Sequence, residues 1–248
     1  MANPRSAALI VAAIFLCSPS LAIAQTTAAD SQAALPLPRT PSGHPDFNGV
    51  WSGRGHPDLS AELPGGLPFT DAGKAAFEDV KKQYDPTGFC LYPGVTRLTN
   101  SPYPLEIVQT PGRMAILYEY MRTFRVIPTD GREHSQDPSP SFFGESVGKW
   151  EEDVFVVDVI GFNDRSWLDA AGNPHTDALH LIERYRLTDA QHLAYEVTID
   201  DPKTYTKPWK STMVFTRRLD WELIEYSCDE NNKDRDQHHF QPGPSFQR

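Results

Sequence analysis

Leu193-Ala194-Tyr195-Glu196-Val197-Thr198-Ile199-Asp200 places Leu193, Tyr195, Val197 and Ile199 on one face and Ala194, Glu196, Thr198 and Asp200 on the other. A strict period of two is the pattern of a half-buried β-strand. Thr188-Asp189-Ala190-Gln191 reads as the turn that joins this strand to an earlier one at 178–186. On the C-terminal side, 211–219 and 221–228 are predicted as two further strands. Upstream, 105–109 and 113–120 flank the turn Thr110-Pro111-Gly112, 123–128 continues the pattern, and a β-branched run at 154–160 follows Glu151-Glu152-Asp153. One helix is predicted, from Thr70 as N-cap to Tyr84, stopped by Asp85-Pro86. Sequential strands joined by short polar turns favour an antiparallel meander, and eight or more of them tend to curl into a barrel. The expected fold is all-β, mainly antiparallel: a β-barrel with one short helix.

The chain has 248 residues, 23 basic and 33 acidic, for a net charge of −10. Its first residues combine Arg5, an apolar run from Ala7 to Leu16 and Ala22-Ile23-Ala24 before Gln25, the layout of a signal peptide over 1–24 cleaved after Ala24. Cleavage removes Arg5, leaving 22 basic against 33 acidic residues, −11. Such a surface repels nucleic-acid phosphates and anionic lipid, so no nucleic-acid partner and no membrane insertion after cleavage are expected. Residues 25–44, rich in Ala, Gln, Thr and Pro, read as a disordered linker, 45–232 as a single β-rich domain and 233–248 as a flexible tail. The destination expected is periplasmic or secreted, where Cys90 and Cys228 would form a disulfide. A cysteine nucleophile would need a base that the sequence does not place beside either residue. Oligomeric state is left open by the sequence.

Gly49-Val50-Trp51 at the first strand, with Arg217 near the last, looks like the lipocalin device in which an arginine packs across a tryptophan, which makes the expected barrel lipocalin-like. Pro45-Asp46-Phe47-Asn48-Gly49-Val50-Trp51, Cys90-Leu91-Tyr92-Pro93-Gly94-Val95, Ile107-Val108-Gln109-Thr110-Pro111-Gly112, Gly161-Phe162-Asn163-Asp164, Trp167-Leu168-Asp169 and Thr198-Ile199-Asp200-Asp201-Pro202 also resemble a family of uncharacterised exported bacterial proteins. The likeness spans about 45–232, and Tyr92 stands where a second proline is expected. It implies export and one domain, and it carries no reaction.

Residues able to carry chemistry gather in 161–175. Asp164 and Asp169 suit orienting or deprotonating roles, His175 a proton shuttle, and Phe162, Asn163 and Trp167 contacts to an aromatic substrate. A hydrogen-bonded structural loop explains the same residues equally well. His134 on a polar loop is a second general acid or base. Tyr118 and Arg122 would stabilise negative charge, and Glu106, Glu183 and Asp200 are polar groups on strands whose inward or outward direction period two leaves open. No compact His-Glu-x-x-His spacing or nucleotide-binding glycine motif appears, so neither metal nor cofactor is expected. Two functions follow: an exported enzyme binding a small, partly aromatic molecule and performing non-redox acid–base chemistry of the lyase, hydratase or isomerase type, or a non-catalytic periplasmic small-ligand carrier.

Overall fold

A computed structural model describes residues 36–61, 63–230 and 232. The leader at 1–24 and the tail at 233–248 lie outside the described residues, as does most of the 25–44 segment.

Among the described residues nine strands form one antiparallel sheet: β1 (Gly49–Gly53), β2 (Leu105–Thr110), β3 (Arg113–Tyr118), β4 (Thr123–Pro128), β5 (Glu145–Glu151), β6 (Val154–Ile160), β7 (His180–Leu187), β8 (His192–Asp200) and β9 (Trp209–Arg218). Their order is β4-β3-β2-β1-β9-β8-β7-β6-β5, a meander curled so that β4 comes back beside β5. Alternation builds the wall: Leu193, Tyr195, Val197 and Ile199 of β8 are buried while their outward neighbours are half-exposed. The pairing registers explain why closure is incomplete. With nine strands in an antiparallel series, β4 and β5 run the same way, so 129–144 must climb back along the barrel before β5 begins. Among the described residues no ladder joins β4 to β5, and Arg125 Nη2 donates to Ser146 Oγ across the gap at 3.0 Å.

Beyond this frame lie α1 (Asp71–Val80) and α2 (Val95–Thr99). Thr70 caps α1, its Oγ1 accepting from Gly73 N at 2.9 Å, as the sequence predicts. The second helix was not expected. The strand expected at 221–228 is absent: after Arg218 the chain becomes an irregular strap that runs from one barrel end to the other, where Ile224 N donates to Glu119 Oε2 at 3.0 Å. Its pairing edge is missing because β9 already has β1 and β8 on its two sides. Cys228 then bonds Cys90, closing a separation of 138 residues. Part of the stretch read as linker is also built into the fold. Arg39 pairs with Asp153 at 2.8 Å, and His44 stacks on Trp150 with centroids 4.5 Å apart.

Arg217 lies 4.4 Å from the centre of the Trp51 ring and donates to the carbonyls of Asn48 and Asp46 at 2.6 and 2.8 Å. This contact ties the first strand to the last by cation–π attraction and two backbone hydrogen bonds.

Candidate functional site

The antiparallel pairing puts the segments 54–104, 119–122, 161–179 and 201–208 at one end of the barrel. The first three of these segments and the end of the strap line a cleft of about 570 Å³, with His56, Arg97, Asn100, Tyr103, Tyr120, Asp169 and Tyr226 in its wall. Local sequence explains the approach of its parts. Asp85 Oδ1 accepts from Thr87 N at 2.9 Å and starts a short 3-10 turn, then receives Arg97 in a two-point contact of 2.9 and 2.7 Å. Gly94, at φ +79°, precedes α2 where a Cβ would fall 2.8 Å from Ser166 Oγ, so only glycine lets α2 settle against the 161–175 loop. Gly55 is equally constrained, since a Cβ there would fall 1.5 Å from the Asn100 carbonyl oxygen.

Three tyrosines make one wall. Tyr103 and Tyr120 stack with centroids 5.1 Å apart and planes 4° from parallel, and Tyr226 stands edge-on to both at 5.4 Å. Tyr226 reaches this position on the disulfide-held strap, two residues before Cys228. Asn100 adds a buried polar group: its Nδ2 donates to Thr96 O at 3.2 Å, while its Oδ1 has no hydrogen-bond partner among the described residues.

Asp169 lies in the same wall and is almost fully buried. Burial, helped by the nearby Asp58 carboxylate, pushes its pKa up to about 6 from 3.8, against the lowering effect of hydrogen bonds from Leu59 N, Asn173 N and Asn173 Nδ2 at 2.9, 3.1 and 2.6 Å. Because the folded state holds this proton to higher pH than the unfolded chain, the linked stability is fully present below about pH 4. It declines as pH rises towards 6, by on the order of 3 kcal/mol for a shift of about two units. A carboxyl NMR titration should therefore show Asp169 with a midpoint near 6. A midpoint below 4 would remove the argument for a desolvated carboxyl.

The other residues singled out from the sequence divide among separate places. His175 sits below the cleft loop, buried, with Nδ1 3.1 Å from Thr176 O and Nε2 3.0 Å from Ser166 Oγ. A carbonyl only accepts, so Nδ1 carries the hydrogen and the Ser166 hydroxyl donates to Nε2. Burial lowers the His175 pKa and favours this neutral ring. Trp167 and Phe162 are buried beside it, Asn163 N donates to Ser141 O at 2.8 Å, and Asp164 is exposed. His134 is on the outer wall, between Glu145 at 3.2 Å and Asp158 at 2.8 Å, and His180 reaches the other oxygen of Asp158 at 3.0 Å. These contacts pin the climbing 129–144 connection to β5 and β6, far in role from the cleft. Arg122 is exposed and pairs with Glu225 of the strap at 3.0 Å. Glu106 and Asp200 lie on outward positions of β2 and β8.

Tyr118 and Glu183 point inward, into a polar knot in the middle of the barrel. Arg125 contacts Glu183 at 3.2 and 2.7 Å, and Tyr185 and Tyr195 both donate to Glu183 Oε1, at 2.9 and 3.1 Å. Tyr118 shares a hydrogen bond with Thr99 at 3.3 Å. Burial opposes the charge on Arg125, but the Glu183 carboxylate facing it holds the guanidinium pKa well above its ordinary value. Burial and the same carboxylate push the Tyr185 and Tyr195 hydroxyls up. Arg125, Tyr185 and Tyr195 were not singled out from the sequence. The alternation in β4 points the wrong way for finding them: apolar Phe124 and Val126 flank Arg125, yet they face outward and the charge takes the inner face.

Among the described residues no group of three or more His, Cys, Asp or Glu side chains is arranged to hold a metal ion, and no helix is long and apolar enough to cross a membrane. Fold and site together define a disulfide-tied antiparallel meander barrel with an aromatic cleft at one end. A scan against protein-family models and a search of curated proteins both find no match to the chain.

Proposed function

We propose that this protein is an exported carrier of a small, partly aromatic molecule, of lipocalin-like type, which it holds in the end cleft. The observation that carries the reading is the tyrosine wall: Tyr103, Tyr120 and Tyr226 offer rings and hydroxyls to one concavity of about 570 Å³. That size and this mix of aromatic surface with a few polar anchors suit a small organic ligand. The Cys90–Cys228 bridge supports an oxidising compartment, in keeping with the leader-like first residues. An acid–base enzyme draws support from Asp169, whose carboxyl pKa burial pushes up to about 6 beside the cleft. Both its oxygens are engaged by Leu59 and Asn173, however, which suits holding the loop better than moving a proton.

The test uses N-phenyl-1-naphthylamine, a neutral fluorescent aromatic. Its emission should rise saturably with the native protein, and Tyr120→Ala should weaken binding about tenfold, the scale of one good aromatic contact. Tyr226→Ala should act similarly. Saturable binding that neither substitution alters, or no binding, rejects the cleft as the ligand site.

A further inference from the structure

We infer that the outer wall of β6–β9 carries a second binding site, for an organic anion with an apolar body. A shallow groove of about 570 Å³ runs there, lined by Arg54, Arg184, Arg186, Ala194, Glu196 and Val214 among others. The strand registers show how it is assembled. Arg186 pairs with Ala194 and Ala194 with Val214, so these three outward side chains lie in one row across the sheet. In the adjacent row Arg184 pairs with Glu196, and Glu196 with Thr212. Arg54 follows directly after β1 and joins the same groove.

Charge distinguishes this surface from the rest of the molecule. The chain is acidic overall, at −10, yet the groove's acidic groups are already neutralised: Glu196 by Lys210 at 2.7 Å, and Glu151, beside Arg184, by that arginine at 2.7 Å and by Lys149 at 2.9 Å. The Arg54 and Arg186 side chains make no hydrogen bond or ion pair among the described residues. Two uncompensated guanidinium groups therefore face a single concavity, each able to grip a carboxylate or phosphate with two parallel N–H bonds. Between them the floor is apolar, with Ala194 half-buried and Val214 54% exposed. A bare anion would leave that floor wet. An aryl or alkyl phosphate or carboxylate covers it while its head meets the arginines.

Phenyl phosphate and inorganic phosphate are the probes, read by NMR shifts of the Ala194 and Val214 methyl groups in the full chain. Phenyl phosphate should shift both methyls saturably, and Arg186→Ala and Arg54→Ala should each weaken it at least fivefold. Arg113→Ala, an exposed arginine on the opposite side of the barrel order, and Tyr120→Ala in the cleft should leave it unchanged. Inorganic phosphate should bind at least fivefold more weakly. The inference is overturned if the methyls do not respond, if Arg113→Ala weakens binding as much as Arg186→Ala, or if inorganic phosphate binds as tightly as the phenyl ester.

Discussion

Glu183→Ala is expected to cost the barrel about 3–5 kcal/mol, the range for breaking a buried ion pair by removing one partner. Glu183 is fully buried and receives Arg125 at two points and the hydroxyls of Tyr185 and Tyr195. Removing it strands a guanidinium that is 4% exposed, together with two buried phenols, without their shared acceptor. For a domain of this size the midpoint of thermal unfolding should fall by about 10 °C or more. The double change Arg125→Met with Glu183→Leu should recover most of the loss, because no charge is then left unpaired and the side-chain volume is largely kept. Paired thermal melts give the answer. If Glu183→Ala alone is neutral, the knot is not the closed ion pair described above.

Reduction of Cys90–Cys228, or Cys228→Ser, should produce the second large effect. The bridge spans 138 residues, and loop-closure entropy sets a limit of about 5 kcal/mol for a cross-link of that reach. A global loss of that size would show as a shift of the denaturation midpoint with added dithiothreitol. The cleft provides a second, independent readout. Without the bridge the strap loses its covalent hold, Tyr226 leaves its edge-on contact with Tyr103 and Tyr120, and N-phenyl-1-naphthylamine binding should weaken together with stability. If binding survives reduction unchanged, the strap is held by its other contacts, Ile224 N to Glu119 and Arg122 to Glu225.

Local signals explain which features were legible. Strand periodicity in 193–200, the turn residues at 110–112 and the Thr70 cap act over a few residues, so each appears where the sequence places it. The failure at 221–228 has the opposite cause. Trp221, Ile224 and Tyr226 have strand-forming character, yet β9 is already flanked by β1 and β8, so the segment cannot pair beside the strand it follows and becomes a strap. Candidate chemistry was dispersed for a similar reason. His134 and His175 look alike in sequence, but one staples the outer wall and the other is locked to Ser166 beneath a loop.

By itself the sequence determined the β class, the meander order suggested by short turns, the paired cysteines and the acidic surface, all carried by composition or by contacts near in the chain. Tertiary structure decided which face of each strand is inside. Period two defines two faces and does not choose between them; closure of the sheet makes that choice, turning Arg125 and Glu183 inward and Arg186 outward. It also decided where the site lies. The tyrosines at 103, 120 and 226 become one wall only because antiparallel pairing brings their segments to the same barrel end and a disulfide returns the strap to it.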